Sequence, residues 1–448
     1  MRKTFFFKTL GLLGFSCFLL CSLGWAQRTG YSKSELMRRR ASLMEQIQDG
    51  LIILFGNAME VPGAHTRQDN DFYYFTGVED LGAITIMIPK LKQAVLFLPA
   101  QTDREAMYVG DNLLRDPEGK EKSGFNAIYP LSYFDQYLGR MAMNLGPRFH
   151  VRLYPRDSID LARYETLLFI GRKNRSHYND QLSIDNYRLM KLKDRFPFAE
   201  FHDITKLVDE MRVIKSPEEI SILRKIGKSS AEGVKRAILV TRPGVYEFEL
   251  EAEAMYAVLK KGARGFAYPP IVGSGPNTCV LHYAKNSRRI EAGDLVLMDF
   301  GGELDYMCMD ISRTWPADGK FTDEQKEVYI TALEIQKACI EAYRPGVTNA
   351  DVRKHVAEVM KKKGIDPRGE KGGIGHYVGM ATHDAGPYGG ALREGMVFAI
   401  EPGFYYPEKN LGVRIEDTVL ITKDGCEVLT KDVPKELSEV EKIMAGRK

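Results

Sequence analysis

The chain of 448 residues carries 63 lysine and arginine residues against 60 aspartate and glutamate residues. Its 44% hydrophobic and 27% charged content is ordinary for a soluble globular protein and provides for a sizeable core. The length predicts two or three domains. A formal charge of +3 is too small to indicate a nucleic-acid surface, so we expect no nucleic-acid partner.

Residues 1–26 have the pattern of a secretory signal peptide, with basic residues followed by an uncharged apolar stretch. The small residues Gly24 and Ala26 suit a cleavage site, and we expect cleavage after Ala26. The mature protein would then be exported, periplasmic or secreted, nearly neutral, and without stable membrane association. The alternative is an uncleaved anchor, because the apolar stretch approaches the ~18 residues at which a membrane span becomes feasible.

Four cysteines remain after the predicted cleavage: Cys279, Cys308, Cys339 and Cys426. They are widely spaced and form no CxxC pair. An exported protein could join them in disulfides, although their spacing does not specify a pairing. Buried free thiols are the favoured interpretation.

Residues 27–205 are predicted to form a smaller α/β domain. Strand-length apolar runs lie at 50–58, 82–88 and 93–100, and 150–155 is a weaker candidate. No group of chemically suggestive residues stands out in this half of the chain.

Residues 206–448 are predicted to form a second, α+β domain, with helices covering a largely antiparallel sheet. Its first helix begins at Ser216-Pro217-Glu218-Glu219, a capping box with proline at the first helical position. Further helices are predicted at 246–262, 322–343 and 348–363, the last ending at Gly364. Strands are predicted at 295–301, 307–314, 396–403 and 412–422.

Four carboxylates lie in or beside these apolar strands: Asp299, Asp310, Glu401 and Glu416. Aspartate and glutamate are rarely buried unless they are paired or bind a metal. A single buried acid usually has an ordinary ion pair or hydrogen bond. Four acids in two hairpin-like units indicate a cation site, because clustered like charges raise one another's pKa unless a cation neutralises them.

Three of the eight histidines lie near these acids in the sequence: His282, His376 and His383. A lone histidine is more often structural than a ligand. His376, in a glycine-rich loop, is the best ligand candidate of the three. An oxygen-rich set with one histidine favours Mn²⁺, with Co²⁺, Zn²⁺ or Fe²⁺ also compatible. Four negative charges would balance two divalent cations, ~3.5–4 Å apart as in other two-metal sites.

The segments that carry these residues resemble those of the pita-bread metallopeptidases, and in particular aminopeptidase P. The resemblance lies in IVGSGPNTCVLHYAKN, GDLVLMDFG, MDISRTWPADGKF, EGMVFAIEPGFYY and VRIEDTVLIT. It extends to QDNDFYYFTGVED (68–80) and MRVIKSPEEISILRK (211–225), and so covers nearly all of the mature chain. It implies a C-terminal pita-bread catalytic domain preceded by a smaller creatinase/aminopeptidase P-type α/β domain.

This resemblance implies a ligand set with unequal roles. Asp310 and Glu416 would each bridge two metal ions. Asp299 would complete the coordination of one ion, and His376 with Glu401 that of the other.

The same resemblance implies catalytic and substrate-binding residues around the ligands. His282 and His383 would contact the substrate and stabilise the tetrahedral intermediate. Tyr405 would offer an apolar surface to the proline ring, and Glu401 is the candidate for moving a proton. Arg414 would serve both catalysis and substrate binding, or could instead orient a ligand carboxylate through an ion pair.

One position departs from the pattern of the resembled family. Its members often have a histidine four residues before the ligand histidine, and this chain has Gly372 there. The ligand set is unaffected, but proton transfer or substrate orientation near that loop is expected to differ.

The function implied by the resemblance is an Xaa-Pro aminopeptidase, which releases the N-terminal residue from peptides with proline in second position. A hydroxide held between two metal ions would attack the peptide bond. The alternative is an Xaa-Pro dipeptidase (prolidase), restricted to dipeptides but with the same ligands. A metal-free amidinohydrolase or binding protein of the same fold is a remote alternative, because all five ligands are present. Relatives form dimers or tetramers, so we expect a homo-oligomer.

Overall fold

The computed structural model describes residues 30–58, 67–153, 184–370, 373–387 and 389–446. The predicted signal peptide and Gly372 therefore lie outside the described residues. Within those ranges, no helix is both long and apolar enough to cross a membrane. The four described cysteines are free thiols, as expected. Cys308 and Cys339 are buried, whereas Cys279 and Cys426 are only partly buried.

The described α-helices are α1 Lys33–Ile47, α2 Asn70–Thr76, α3 Asp103–Val109, α4 Gly119–Ser123, α5 Phe134–Leu145, α6 Ile184–Arg195, α7 Thr205–Val213, α8 Pro217–Val240, α9 Glu247–Lys260, α10 Asp323–Ala342, α11 Asn349–Lys363 and α12 Leu437–Ala445. The described strands are β1 Leu51–Phe55, β2 Ile84–Ile88, β3 Gln93–Leu98, β4 Ala127–Pro130, β5 Arg148–Val151, β6 Glu200–Asp203, β7 Gly265–Phe266, β8 Ile271–Ser274, β9 Leu295–Phe300, β10 Gly302–Leu304, β11 Met307–Cys308, β12 Ile311–Pro316, β13 Gly373–Tyr377, β14 Val397–Glu401, β15 Gly403–Tyr406, β16 Leu411–Arg414, β17 Asp417–Ile421 and β18 Cys426–Val428.

The N-terminal part is built on a six-stranded sheet in the order β4-β3-β2-β1-β5-β6. The three predicted apolar runs are β1, β2 and β3, which pair antiparallel, while β4, β5 and β6 join in parallel. The weaker candidate at 150–155 overlaps only the end of β5. Alternate residues of β1 face two different apolar clusters, as a strand buried on both faces requires.

The C-terminal part combines helices with four small sheets, in the orders β11-β10-β7, β12-β9-β8, β13-β14-β17-β18 and β15-β16. The pairings within these sheets are antiparallel. Helix α8 begins as predicted, because the Ser216 hydroxyl accepts from the Glu219 N–H while the Glu219 carboxylate accepts from the Ser216 N–H. Helix α11 ends at Gly364, whose φ of 68° is left-handed.

Two strands predicted as continuous, at 307–314 and 412–422, are each interrupted. The first breaks between β11 and β12, where Asp310 lies, and the second between β16 and β17, where Glu416 lies. The backbone groups freed at Asp310 bind one distant side chain. The Asp310 N–H donates to the Thr418 hydroxyl (3.3 Å), which itself donates to the Asp310 carbonyl (2.6 Å). The sequence prediction was wrong here because the break is stabilised by a contact far along the chain.

Candidate metal centre

Three of the predicted ligands come together in one buried cluster. Asp310, His376 and Glu416 each offer a ligand atom, and these atoms all lie within 4.8 Å of one another. The Nε2 atom of His376 is 3.4 Å from an Asp310 carboxylate oxygen and 3.5 Å from one of Glu401. Four of the five predicted ligands therefore lie close together: Asp310, His376, Glu401 and Glu416.

Adjacent strands bring His376 and Glu401 together. His376 lies on β13, which pairs antiparallel with β14, and Glu401 is the last residue of β14. The pairing shifts register between Gly373 and His376. Gly375, in this irregular stretch, has a φ of 133°, and a Cβ there would lie 2.2 Å from the Ala399 carbonyl. Only glycine allows this close approach of the two strands.

Asp299, the fifth predicted ligand, is joined to Asp310 by a tyrosine that the sequence analysis missed. The Tyr268 hydroxyl lies within hydrogen-bond distance of both carboxylates, 2.6 Å from Asp310 and closer still to Asp299. Since a phenol has one proton, it donates to one carboxylate at a time. The available signal was weak: Tyr268 precedes two prolines, which indicates extended backbone but no chemistry.

Arg414 makes a second set of contacts around the ligands. Its guanidinium donates to Asp299 (2.7 Å), to the Tyr405 hydroxyl (2.8 Å) and to the Ser312 hydroxyl (2.9 Å). Ser312 in turn donates to Glu416 (2.6 Å). Ser312 was also missed, although it lies two residues after Asp310 and alternation places both on one face of the chain.

Burial raises the pKa of three of the predicted ligand carboxylates. Burial, reinforced by the charge of Asp310, raises the pKa of Asp299, with Arg414 opposing the shift. Burial likewise raises the pKa of Glu401 to about 7, against the effect of His376. Burial and the neighbouring Asp310 also raise the pKa of Glu416 well above its ordinary value. Bound cations would relieve this repulsion.

His376 is oriented as a metal-ligating imidazole. Burial lowers its pKa, but the hydrogen bond and charge of Asp310 and the charge of Glu401 outweigh that effect and raise the pKa to about 9. Its Nδ1 lies 3.1 Å from the Tyr377 carbonyl. A carbonyl can only accept, so Nδ1 carries the proton and Nε2 points at the carboxylates. A backbone acceptor behind the ligating nitrogen is the usual arrangement at metal sites.

The other predicted site residues lie around this cluster. His383 stacks on His376, with ring centroids 3.8 Å apart and an interplanar angle of 13°. Partial desolvation, followed by the charge of His376, lowers the pKa of His383 to about 4, and His282 is close enough to contribute. His282 and His383 keep solvent-accessible surface. Tyr405 is buried and accepts from Arg414, so its predicted contact with a proline ring stays a prediction.

The donor set fits hard divalent cations. Four carboxylates and one imidazole whose Nε2 faces them provide oxygen-rich coordination, and no thiol is among them. Four of these side chains lie within a few ångströms of one another: Asp310, His376, Glu401 and Glu416. Asp299 is connected to them through hydrogen bonds with Tyr268 and Arg414. The residues present can therefore hold the predicted metal ions.

Models of known families match both parts of the chain. The model of metallopeptidase family M24 matches residues 221–423, and that of the aminopeptidase P N-terminal domain matches residues 36–148. The Xaa-Pro aminopeptidase of Escherichia coli is 32% identical over 455 residues, which cover 93% of this chain and 99% of that protein. An Xaa-Pro dipeptidase of Pyrococcus horikoshii is 36% identical over 247 residues, 54% of this chain and 69% of that protein.

A solved structure agrees with these matches. Zinc-substituted Escherichia coli aminopeptidase P in complex with product has a TM-score of 0.80 to this chain at 29% identity, covering 93% of this chain and 99% of that one. The predicted fold class and enzyme class are thereby confirmed. The chain belongs to metallopeptidase family M24, in the group that carries an aminopeptidase P N-terminal domain.

Proposed function

We propose that the protein is an Xaa-Pro aminopeptidase that removes the N-terminal residue from peptides with proline in second position. The observation that carries the proposal is the convergence of Asp310, His376 and Glu416 in one buried cluster. The Escherichia coli relative, which this chain covers almost entirely, bears that activity in its name. The Xaa-Pro dipeptidase relative matches over only about half of this chain and supports the alternative less well.

The proposed cofactor is a pair of divalent metal ions, with Mn²⁺ as the expected metal because the donors are mainly carboxylate oxygens. Asp310 and Glu416 would bridge them, Asp299 would hold one, and His376 with Glu401 the other. When bound, the ions supply Lewis-acid polarisation of the scissile carbonyl and lower the pKa of a water molecule to make it a nucleophile.

The side chains of the chain itself have distinct tasks in this proposal. Glu401, the least buried of the four acids, accepts the proton of the attacking water and delivers it towards the departing amine. His383 and His282 would donate hydrogen bonds to the developing negative charge. Arg414 favours the ionised form of Asp299 and orients its carboxylate through their 2.7 Å contact. The bond before proline is a tertiary amide without N–H, so the ring is recognised by shape and apolar contact.

Export and assembly are further parts of the proposal. The basic and apolar pattern of residues 1–26 supports export by signal peptide, with the mature enzyme periplasmic or secreted. A homo-oligomer is proposed from the family resemblance. Gel filtration with light scattering and N-terminal sequencing of the exported protein test these two points directly.

The central test compares Xaa-Pro dipeptides with Xaa-Pro-Xaa tripeptides, using purified protein supplied with Mn²⁺. Cleavage of tripeptides with release of the first residue is expected. Cleavage of dipeptides alone would replace the proposal by a dipeptidase. The Asp310→Ala variant should lose both bound metal and activity, and a full metal content in that variant would contradict the bridging role of Asp310.

A further inference from the structure

A buried chain of six charged side chains runs from the N-terminal part of the molecule to the loop that carries His383. Each of the six has at most 9% of its surface exposed. Three are acids and three are bases, so these six side chains carry no net charge when all are ionised. Its members are Asp69, Asp71, Arg152, Arg212, Lys215 and Asp384. The expectation that the N-terminal half holds no chemically suggestive group was therefore incomplete.

Arg212 is the central link of this charge chain. One guanidinium nitrogen donates to the Asp71 carboxylate (2.7 Å) and the other to the Asp384 carboxylate (2.5 Å). Lys215 donates to the second oxygen of Asp384 (3.1 Å) and to the Arg212 carbonyl (2.9 Å). Arg212 lies on α7 and Asp71 on α2, so one side chain connects the N-terminal part with the site loop.

The far end of the charge chain is fixed within the N-terminal part. Arg152 donates to Asp71 and also to Asp69 (2.6 Å). Asp69 caps α2, accepting from the Phe72 N–H (2.8 Å). Arg152 follows directly after β5, so the chain is attached both to the sheet and to a capped helix.

Asp384 fixes the loop at the other end. Its N–H donates to the Tyr377 carbonyl (2.8 Å). A Cβ on Gly379 would lie 1.9 Å from the Asp384 carboxylate and 2.8 Å from the Lys215 ammonium, so the loop backbone packs directly on this ion pair. His383, the preceding residue, is in turn stacked on His376. The residue whose imidazole stacks on the candidate metal centre is thus followed directly by Asp384, an anchor of the charge chain.

We propose that the N-terminal domain positions His383 through Asp71, Arg212 and Asp384, which act as positioning residues for the peptidase site. The inference rests on the proposed function. Buried ion pairs are poor contributors to stability compared with apolar packing, because desolvation offsets their attraction. What these ion pairs supply here is a fixed relative position of the groups that they join. A charge chain that spans two domains and ends beside a site histidine fits a positioning task.

The test is a double-mutant cycle between Asp71→Asn and His383→Ala. Asp71→Asn keeps the shape of the side chain and removes its charge. Asp71 is joined through Arg212 to Asp384, the residue that follows His383. Since a displacement of about 1 Å can cost on the order of 100-fold in rate, we expect Asp71→Asn to lower kcat on the order of tenfold, with KM within about twofold. In the His383→Ala background the same substitution should change kcat by less than about twofold, since its target is absent.

Equal losses of kcat in both backgrounds, or an unchanged kcat in folded Asp71→Asn, would overturn the inference. Arg152→Lys provides a milder second variant, because Arg152 pairs with Asp71 and lysine keeps the positive charge. Its effect on kcat should likewise depend on the presence of His383. The matched control is Arg39→Met. Arg39 is a buried arginine that pairs with Glu219 and so also joins the two parts of the molecule. The Arg39→Met substitution should lower the melting temperature without lowering kcat. Absence of activity in the unmodified protein would instead refute the proposed function.

Discussion

Ser312 joins a predicted metal ligand to the arginine that organises the site. Its hydroxyl donates to Glu416 (2.6 Å) and accepts from Arg414 (2.9 Å), and the residue is fully buried. We expect Ser312→Ala to weaken metal binding on the order of tenfold, as loss of a group that orients a ligand usually does. The Arg414 donor left without this acceptor should cost about 1–3 kcal/mol of stability. Calorimetric Mn²⁺ titration and thermal unfolding measure the two effects.

Ser229→Ala is the matched control for this prediction. The Ser229 hydroxyl, which is partly exposed, donates to the Lys225 carbonyl of the same helix α8. Its removal should leave metal affinity and melting temperature unchanged. If Ser312→Ala binds Mn²⁺ as tightly as the unmodified protein, Ser312 does not orient Glu416 for metal binding.

Within helix α1, Glu35 pairs with Arg38 and with Arg39, and Arg39 in turn contacts the Tyr74 carbonyl and Glu219 outside the helix. The ionisation of Glu35 makes this arrangement dependent on pH. Burial raises the pKa of Glu35, but hydrogen bonds from Arg38 and the charge of Arg39 outweigh burial and hold the pKa at about 2, below the ordinary 4.5. The unfolded state therefore binds more protons between these two values. The stabilisation is fully present above pH 4.5 and is lost as the pH falls towards 2.

Glu35→Gln should accordingly lower the melting temperature most at neutral pH. The deficit relative to the unmodified protein should shrink steadily as the pH falls from about 5 towards about 3. Differential scanning calorimetry across this range measures it, with Glu45→Gln on the exposed side of the same helix as control. A deficit that is constant over the whole range would show that the ionised carboxylate is not what stabilises α1.

The boundaries of elements could be predicted where the signal is local. Ser216 and Glu219 marked the start of α8 because both partners of the capping box lie within one turn. The interruption at Asp310 could not be predicted, because its backbone partner Thr418 is 108 residues away. The cluster of predicted ligand carboxylates was detectable because acids in apolar strands are rare. Tyr268 was not detectable in this way, because a partly buried tyrosine is ordinary in any sequence.

At the scale of the whole molecule, the turn between β10 and β11 connects the two parts. Tyr306 stacks on Tyr73 with ring centroids 3.6 Å apart, and its φ of 69° is left-handed. Its hydroxyl accepts from the buried Gln68 N–H (2.8 Å). Tyr306→Phe keeps the stack and removes that acceptor, so we expect a loss of about 1–3 kcal/mol of stability. Denaturant unfolding measures it.

The exposed Tyr256 provides the control for this substitution, because its hydroxyl only accepts from Lys260 at the surface. Tyr256→Phe should leave the unfolding midpoint unchanged. Equal midpoints for Tyr306→Phe and the unmodified protein would mean that Gln68 finds another acceptor, and that the hydroxyl contributes nothing to the contact between the two parts.

Metal removal should destabilise the entire molecule, because the ligands come from segments far apart in the chain. Asp299 and Asp310 lie in one hairpin region and Glu401 and Glu416 in another, so the proposed ions would cross-link the C-terminal part only when it is folded. A ligand that binds only the folded state at 100 times its Kd stabilises by about 2.7 kcal/mol. Mn²⁺ should therefore raise the melting temperature, and chelation should lower it. Asp310→Ala should respond to neither treatment, whereas an equal Mn²⁺ shift in that variant would place the stabilising ion elsewhere.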